Sequence, residues 1–345
     1  MSGVTLTIDG AGWRDHLRAT LAANPGLVPV AKGNGYGFGL TRLAEESAAL
    51  GVGCIAVGVA AEVAEVSDAF DGDVVVLTPW RQGDPVAQEI IANPKVITTV
   101  SRLADLELIT ADGRRPRVVV EVQTSMRRHG IGVEDLPQVA DLLDLVDFAG
   151  WVIHLPHAET GRLAEAETLA KATAAVRPAP IWFSHIAHTD AARITADLGV
   201  DLKLRMGTHL WLGAPRTRQV TATVIDVHKV SRGDKVGYWQ RRVPHNGWLI
   251  IVAGGTANGI AMEAPTSAKT PRARLVSVAT GGLAALGRAL SPYTIAGRKR
   301  WFAEPPHMQS SLILLPSDAT PPALGDEVPV EVRLTTAVVD RTVIN

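Results

Sequence analysis

The stretch VPVAKGNGYGFGL, residues 28–40, is the first with clear potential for chemistry, because an apolar run ends at Lys32 and four glycines follow. A lysine at a strand end can simply extend its ammonium group into water. If the strand belongs to an α/β barrel, its carboxyl end lies where the active sites of that fold collect. An amine kept clear of other side chains there can serve covalent chemistry. The arrangement of strands and helices decides between the two interpretations.

Two His-x-x-His pairs, His154 with His157 and His185 with His188, raise the alternative of a metal site. On strands, residues three apart point to opposite faces, so neither pair is a natural chelate. We therefore predict no metal site. The single cysteine, Cys54, excludes an intrachain disulfide and cannot form a thiolate metal site alone, which fits a reducing cytoplasm.

Length and composition favour a globular protein of two domains. The chain has 345 residues, of which 46% are hydrophobic, enough for sizeable cores. Its 34 basic and 35 acidic residues leave a formal charge of -1, which argues against a nucleic-acid or anionic-membrane partner. The opening segment MSGVTLTIDGAGWRDHL lacks the features of a signal peptide, and no apolar run is long enough to span a bilayer. We expect a cytoplasmic protein.

From about residue 26 to about residue 215, short β-branched runs alternate with longer segments rich in Ala, Leu and Glu. The predicted strands are LVPVA, CIAVGV, VVVL, VITTV, RVVVEV, FAGWVIHL, IWFSHI and LKLRMG. This rhythm predicts a (β/α)8 barrel of the TIM type, although a doubly wound sheet has a similar pattern. No G-x-G-x-x-G motif opens a helix after the first strand, which counts against a dinucleotide fold.

The pattern changes after GAPRTR, and strand-like segments separated by Gly, Pro and Asp turns follow from about residue 219. They are QVTATVIDVHKV, NGWLIIVAGG, RARLVSVAT, SSLILLP and DEVPVEVRL. We predict a barrel domain over residues 1–220 and a mainly-β domain over residues 221–345. The opening GVTLTID is strand-like as well, and its pairing with the β domain stays open.

The stretch AKGNGYGFG resembles the lysine motif of the alanine racemase family, A-(V/x)-x-K-A-N-A-Y-G-H-G. Further motifs follow in the family's order, so the resemblance covers nearly the whole chain up to about residue 315. It implies the fold-type III architecture, a (β/α)8 barrel with a C-terminal mainly-β domain, and pyridoxal 5'-phosphate as cofactor. Lys32 falls on the lysine that binds the cofactor covalently, and Tyr36 on a tyrosine that binds its phosphate.

Two further motifs imply cofactor contacts. LRMGTHLWLG resembles V-R-F-G-I-x-x-Y-G, which implies that Arg205 faces the pyridine nitrogen and that Gly207 and Thr208 bind the phosphate. FSHIAHTDAARI resembles H-C-A-N-S-A-A, which implies that His185 bonds that arginine and that Thr189 reaches the phosphate. Thr189 is also a candidate N-cap of the helix that follows it.

Two more motifs bear on the cofactor ring and the substrate. GWVIHLPHAET resembles T-H-F-A-T-A-D-E and implies that His154 lies next to the cofactor. VVVEVQTSMRRHGIG resembles K-V-(D/x)-T-G-M-x-R-L-G and implies that Arg128 contacts the cofactor's phenolic oxygen and the substrate carboxylate. Glu121 stands where many members have a lysine that becomes a carbamate anion, and it supplies a negative charge directly. Ser125 replaces the usual glycine, and His129 the usual leucine.

The β domain carries the remaining resemblance. DKVGYWQ resembles V-S-Y-G, so Tyr238 falls on the second catalytic base, which in the family comes from the other subunit of a head-to-tail homodimer. EPPHMQSSLILLP resembles R-(I/V)-C-M-D-x-x-M and keeps Met308 for the substrate, whereas Gln309 replaces an aspartate. In GGTANGIAM, Thr256 replaces a tyrosine at the entrance. The last tyrosine, Tyr293, lies too early to be the family's C-terminal phosphate-binding tyrosine.

The resemblance therefore implies a pyridoxal-phosphate-dependent racemase that interconverts L- and D-alanine with two bases. Serine or another small amino acid is an alternative substrate, because the entrance tyrosine is missing. A non-catalytic or regulatory protein that holds the cofactor is a second alternative. Decarboxylation on the same barrel is less favoured, because Arg205 takes the position where decarboxylases of this fold usually have an acid. A metal-assisted reaction is less favoured, because PHMQ in the β domain offers a poor chelating pair.

Overall fold

The computed structural model describes residues 3–111, 113–157, 160–262 and 289–345. Those between Arg14 and Gly213 form one compact unit, and those up to Trp13 and from Ala214 onward form a second. Strand β1 (Val4–Ile8) and helix α1 (Gly10–Ala23) open the chain. The predicted strand RARLVSVAT, residues 272–280, lies outside the described residues. No helix in the described ranges is both long and apolar enough to cross a membrane.

The first unit is a parallel barrel with the eight strands that the sequence predicts, which confirms the expected fold class. They are β2 (Leu27–Pro29), β3 (Cys54–Val57), β4 (Asp73–Val76), β5 (Val96–Val100), β6 (Arg117–Val122), β7 (Asp147–His154), β8 (Ile181–Ser184) and β9 (Leu202–Met206). The order β2-β9-β8-β7-β6-β5-β4-β3 places the short β2 beside β9. A parallel bridge between Val30 and Ala56 closes the barrel, and the amide of Ala31 donates to the Ala56 carbonyl at 2.8 Å.

Helices alternate with these strands. They are α2 (Leu40–Ala49), α3 (Val63–Ser67), α4 (Pro85–Ile90), α5 (Leu103–Thr110), α6 (Leu136–Val139), α7 (Arg162–Val176), α8 (His188–Leu198) and α9 (Thr208–Leu212). The segment VEDLPQVADLLDLV, which the pattern predicts as one helix, is instead a 3-10 turn (Val133–Asp135), the short α6 and a second 3-10 turn (Leu142–Leu145). Pro137 explains the break, because it lacks the amide that a helix begun at residue 133 needs.

The barrel interior explains why its strands are apolar in continuous runs. One cluster of buried side chains takes members from β2 through β8, among them Val75, Val119 and Trp182. A second cluster packs the outer faces of the strands against the helices, with Trp151 and Phe183 among its largest members. Since both faces of the strands are buried, the period-two polar alternation of a half-exposed sheet is absent from them.

The second unit is mainly β. After β10 (Arg218–Val230) its strands are β11 (Lys235–Val236), β12 (Arg241–Arg242), β13 (Gly247–Ala253), β14 (Leu290–Ile295), β15 (Arg298–Phe302), β16 (Ser310–Pro316), β17 (Glu327–Pro329) and β18 (Arg341–Ile344). The sheet order is β14-β15-β16-β13-β10-β1-β18, with β17 also beside β10 and with β11 and β12 as a separate hairpin. β1 pairs antiparallel with β10 and parallel with β18. β10 begins at Arg218, ahead of the predicted boundary at residue 220.

Candidate functional site

Five barrel strands bring predicted site residues to their carboxyl ends. Lys32 follows β2, Arg128 follows β6, His154 ends β7, His185 follows β8 and Arg205 lies near the end of β9. All five strands belong to the same parallel barrel, so these side chains share one of its ends. Active sites of this fold are built at that end.

Lys32 carries a perturbed amine. Partial desolvation and the positive charges of Arg128 and Arg205 lower the pKa of Lys32, while the negative charge of Glu62 opposes the shift. A lower pKa gives a larger fraction of neutral, nucleophilic amine at neutral pH. Both the position of Lys32 at the carboxyl end of β2 and the charges around it therefore suit its amine for covalent chemistry.

Glu62 organises the backbone around Lys32, and sequence reasoning missed it. Its carboxylate accepts hydrogen bonds from the amide of Gly33 at 2.7 Å and from the amide of Gly58 at 2.6 Å. A Cβ at Gly58 would lie 3.0 Å from the Lys32 Cβ, so the two loops are in close contact. The available signal was a glutamate that ends a 3-10 turn (Ala60–Glu62) directly after a barrel strand.

Tyr36, Gly207 and Thr208 form a compact group beside the strand end. Tyr36 is buried and has a φ of 56°, an unusual conformation for a residue other than glycine. Burial raises the pKa of its phenol to about 12 against the opposing effect of a hydrogen bond with Thr208. A Cβ at Gly207 would lie 2.1 Å from the phenol oxygen, so the absence of a side chain there makes room for Tyr36. The Trp211 indole donates to the Val30 carbonyl at 2.8 Å and ties α9 to this strand end.

Arg205 is buried and partly unpaired. Its Nη2 lies 3.3 Å from Nδ1 of His154, and its buried Nε has no hydrogen-bond partner among the described residues. Burial lowers the pKa of Arg205 to about 10, which still leaves it charged at neutral pH. Burial and the positive charges of Arg205 and Arg128 lower the pKa of His154 to about 2. His154 is therefore neutral, its Nδ1 accepts from the arginine, and its proton is on Nε2.

Glu121 and Arg128 lie next to this pair. The Glu121 carboxyl is buried on β6, and burial raises its pKa against the opposing charges of Arg205 and Arg128. The distance between Arg128 Nη2 and Glu121 Oε1 is 3.9 Å, the long end of an ion pair. The two arginines favour the charged form of Glu121, and burial opposes it, without a short bond between Glu121 and Arg128.

The histidines of the two His-x-x-His sequences contact each other across the two sequences. The ring centroids of His157 and His185 are 3.9 Å apart, those of His154 and His185 are 5.0 Å apart, and His188 is instead hydrogen-bonded to the Pro25 carbonyl. Partial desolvation and the neighbouring His157 lower the pKa of His185 to about 4. Among the described residues no group of three or more His, Cys, Asp or Glu side chains could hold a metal ion.

Thr189 is exposed in the first turn of α8, and its expected alternative as an N-cap is wrong. The N-cap residue of α8 is Ala187, without a side-chain capping bond. The helix begins two residues earlier than an N-cap at Thr189 would place it, and Thr189 is exposed to solvent.

Tyr238 and Met308 belong to the second unit, where both are strongly exposed. The centroids of the Tyr238 and His307 rings are 4.4 Å apart. The Met308 carbonyl accepts a hydrogen bond from the Ala257 amide at 2.9 Å, so its backbone is fixed while its side chain is free of the core.

Comparison with known proteins decides the family. A family model described as the N-terminal domain of alanine racemase matches residues 14–215, more than half of the chain. The chain belongs to the alanine racemase family. Among relatives, alanine racemase from Mycobacterium tuberculosis is 25% identical over 266 residues, 69% of this chain and 68% of that protein. Alanine racemase from Mycolicibacterium vanbaalenii is 27% identical over 267 residues, 68% of this chain and 66% of that protein.

Solved alanine racemase structures share the fold. The enzyme from Bartonella henselae, whose structure contains covalently bound pyridoxal phosphate, aligns with a TM-score of 0.74 and 17% identity over 96% of this chain and 91% of its own. The enzyme from E. faecalis aligns with a TM-score of 0.71 and 19% identity over 95% of this chain and 88% of its own. At these identities the similarity establishes the barrel and β-domain architecture of the alanine racemase family.

Proposed function

We propose that this protein is a pyridoxal-phosphate-dependent amino-acid racemase that interconverts L- and D-alanine. The observation that carries the proposal is the buried Arg205, whose Nε lacks a partner among the described residues, at the same barrel end as an amine of lowered pKa on Lys32. Family membership and the order of the motifs support the same assignment.

The residues present fit the proposed cofactor. The unpaired Nε–H of Arg205 is a donor that suits an unprotonated ring nitrogen. Tyr36, hydrogen-bonded to Thr208 over the bare backbone of Gly207, offers hydroxyl and amide donors of the kind that bind a phosphate. Lys32 would hold the cofactor covalently, and His185 and Thr189 would lie at its edge. These groups would hold the cofactor without a metal.

The cofactor, when bound to the amino group of a substrate, withdraws electrons from Cα and acidifies its C–H bond. Racemisation then needs two bases, because a proton removed from one face of Cα must be returned to the other face. Lys32 would hold or release the proton on one face, helped by the lowered pKa of its amine. Tyr238 of the partner subunit would do so on the opposite face.

The remaining charged residues orient and restrain the reaction. Arg205 stays charged and keeps its proton, so it limits electron withdrawal and favours simple proton removal and return at Cα. The neutral His154 accepts from Arg205 at 3.3 Å and fixes the guanidinium plane. Arg128, with Glu121 at 3.9 Å, would bind the substrate carboxylate. Met308 would be a further substrate contact.

The test follows the optical rotation of L-alanine, and then of L-serine, by circular dichroism with protein and added pyridoxal phosphate. Lys32→Ala is the critical variant. Lys95→Ala, an exposed lysine paired with Asp71, is the matched control. Loss of rotation that needs Lys32 but not Lys95 supports the racemase and ranks its substrates. A yellow protein that leaves both amino acids unchanged favours a non-catalytic cofactor-binding protein, and a colourless one contradicts the cofactor assignment.

The proposed homodimer has its own test. Lys32→Ala and Tyr238→Phe subunits are expected to be inactive separately if each site combines residues of two subunits. Mixing equal amounts under conditions that exchange subunits should restore about a quarter of the wild-type activity, since half of the dimers are mixed and each of those has one intact site. A mixture that stays inactive would contradict shared sites.

A further inference from the structure

A tight turn in the β domain presents two aromatic side chains to solvent. Tyr238 is 82% exposed and Trp239 is 73% exposed, between Gly237 with a φ of 71° and Gln240 with a φ of 48°. The Gln240 amide donates to the Gly237 carbonyl at 3.3 Å and closes the turn. An exposed aromatic side chain is normally free to change rotamer, so some other feature must fix a tyrosine that has to meet a substrate in one orientation.

A buried carboxylate lies under this turn. Glu304 is 1% exposed and accepts the amide of Tyr238 at 3.0 Å and the amide of Trp239 at 3.1 Å. Burial alone would raise the pKa of Glu304, but the hydrogen bonds from these amides and from His307 lower it. A Cβ at Gly237 would lie 2.0 Å from the Glu304 Cδ, so glycine is needed for the carboxylate to reach the turn.

His307 joins the carboxylate to the phenol ring. Its Nε2 lies 2.5 Å from Glu304 Oε1, and its ring lies against the Tyr238 ring at a centroid distance of 4.4 Å and a tilt of 42°. Its backbone is fixed as well, because the His307 amide donates to the Ser310 carbonyl at 2.9 Å and its carbonyl accepts from the Thr256 amide at 2.9 Å. One carboxylate thus holds both the backbone of Tyr238 and the ring on which its side chain packs.

We propose that Glu304 and His307 are positioning residues for Tyr238, and that they fix the phenol before a substrate binds. The proposal rests on the assignment of Tyr238 as the second base. Neither residue needs to touch the substrate, because both act through Tyr238. A buried carboxylate is costly to desolvate unless several donors surround it, and two of its three donors here are the amides of the exposed aromatic pair. The hydrogen bonds that offset the cost of burying Glu304 therefore also fix the backbone of Tyr238.

The first measurement uses the full chain without cofactor. The chain has three tyrosines, and Tyr36 and Tyr293 are buried, so ring-13C-tyrosine NMR gives few signals and Tyr238→Phe identifies the one of interest. Packing on His307 displaces the Tyr238 signal from the position of a freely rotating tyrosine. His307→Ala should return the signal to that position. His228→Ala, which breaks an exposed pair with Asp226 in the same unit, should leave it unchanged.

The second measurement compares racemisation with hydrogen exchange at Cα, in protein loaded with pyridoxal phosphate. Racemisation needs a base on each face of Cα, whereas exchange with retained configuration needs a base on one face only. A misplacement of about 1 Å costs on the order of a hundredfold in rate, so His307→Ala should lower racemisation about 10- to 100-fold through kcat, with KM nearly unchanged. Because Lys32 is intact, one enantiomer of alanine should still exchange its Cα hydrogen with D2O and keep its configuration. Glu304→Gln, which keeps the size of the side chain, should likewise lower racemisation while one enantiomer still exchanges its Cα hydrogen.

The two measurements distinguish failure of this proposal from failure of the racemase assignment. An unchanged Tyr238 signal in His307→Ala overturns the positioning role whatever the activity. Racemisation and exchange that fall together, or that both stay at the wild-type level, also overturn it. If the wild-type protein racemises nothing, the proposed function fails, while the NMR experiment still decides whether His307 orients Tyr238.

Discussion

Replacement of Gly207 by alanine tests the packing of the proposed phosphate group. The added Cβ would lie 2.1 Å from the Tyr36 phenol oxygen, whereas ordinary contacts begin near 3.4 Å, so the groups must separate by about 1.3 Å. The φ of Gly207 is negative, at -117°, so the residue is not in the left-handed region that favours glycine, and the close contact with Tyr36 is the cost that the double variant below isolates. Tyr36 cannot easily turn away because it is buried and hydrogen-bonded to Thr208.

The magnitude follows from overpacking. Extra atoms in a packed site cost about 1–3 kcal/mol, and each kcal/mol lowers Tm by about 2–4 °C for a domain of this size. Thermal unfolding of Gly207→Ala by circular dichroism should therefore show a Tm lower by roughly 2–12 °C, and absorbance titration should show weaker binding of pyridoxal phosphate. Gly83→Ala is the control, because nothing lies within 4 Å of a Cβ built there.

A double variant identifies the clash. Tyr36→Phe removes the oxygen that the Cβ would strike, so Gly207→Ala should cost less stability in the Tyr36→Phe background than in the wild type. The reasoning is refuted if Gly207→Ala is as stable as Gly83→Ala, or if the Phe background makes no difference.

Three other side chains around Lys32 give further expectations. Glu62→Gln removes a charge that raises the pKa of Lys32, so reductive labelling of Lys32 by pyridoxal phosphate should reach its half-maximal rate at a lower pH than in the wild type. His154 has a pKa of about 2 in the folded state, so below about pH 6.5 the unfolded chain binds a proton that the folded chain lacks, and stability falls with pH. Between pH 6.5 and 5.5 the contribution of His154 to this loss is about 1 kcal/mol. It is measured as the difference in urea unfolding between the wild type and His154→Gln, because the lowered pKa of His185 adds a loss that both share. Glu121→Gln should lower the free energy of unfolding in urea, because it removes the acidic group whose charge favours the protonated form of the buried Arg205.

Two control variants accompany these expectations, one for the labelling of Lys32 and one for unfolding in urea. Glu65→Gln, an exposed acid that binds Thr41, should leave the labelling profile of Lys32 in place. Asp71→Asn breaks only an exposed ion pair and should not measurably change unfolding in urea. Equal labelling profiles for Glu62→Gln and wild type would contradict the electrostatic account of Lys32. A His154→Gln variant that loses stability with pH as steeply as the wild type would contradict the neutral histidine.

The barrel could be predicted because its strands are short, β-branched and buried on both faces, as Val118, Val119 and Val120 are on β6. The family motifs lie at the ends of those strands, so the barrel residues of the candidate site could be named as well. The hairpin of β14 and β15 was missed, because the charged run Arg298, Lys299 and Arg300 at the start of β15 obscures the alternation of apolar and polar residues that is typical of a strand.

The carboxylates that organise the loops could not be found from motifs. Glu62 binds the amide of Gly33, 29 residues away, and Glu304 binds the amide of Tyr238, 66 residues away. The sequence does not show which backbone amides a carboxylate will bind. An acidic residue that accepts from an amide therefore cannot be distinguished from other acidic residues before the loops are folded together. Such residues are recognised from the hydrogen bonds rather than from the pattern of residue types.

The place of β1 in the sheet has a consequence for synthesis of the chain. β1 leaves the ribosome before the barrel, but its antiparallel partner β10 is made about 200 residues later, after the whole barrel. At 5–20 residues per second this delay is roughly 10–40 s. During that time the barrel can fold, whereas Val4, Leu6 and Ile8 have no sheet to bury them. The unit that contains the first strand is therefore completed last, and during translation β1 is an apolar segment that needs protection from other nascent chains.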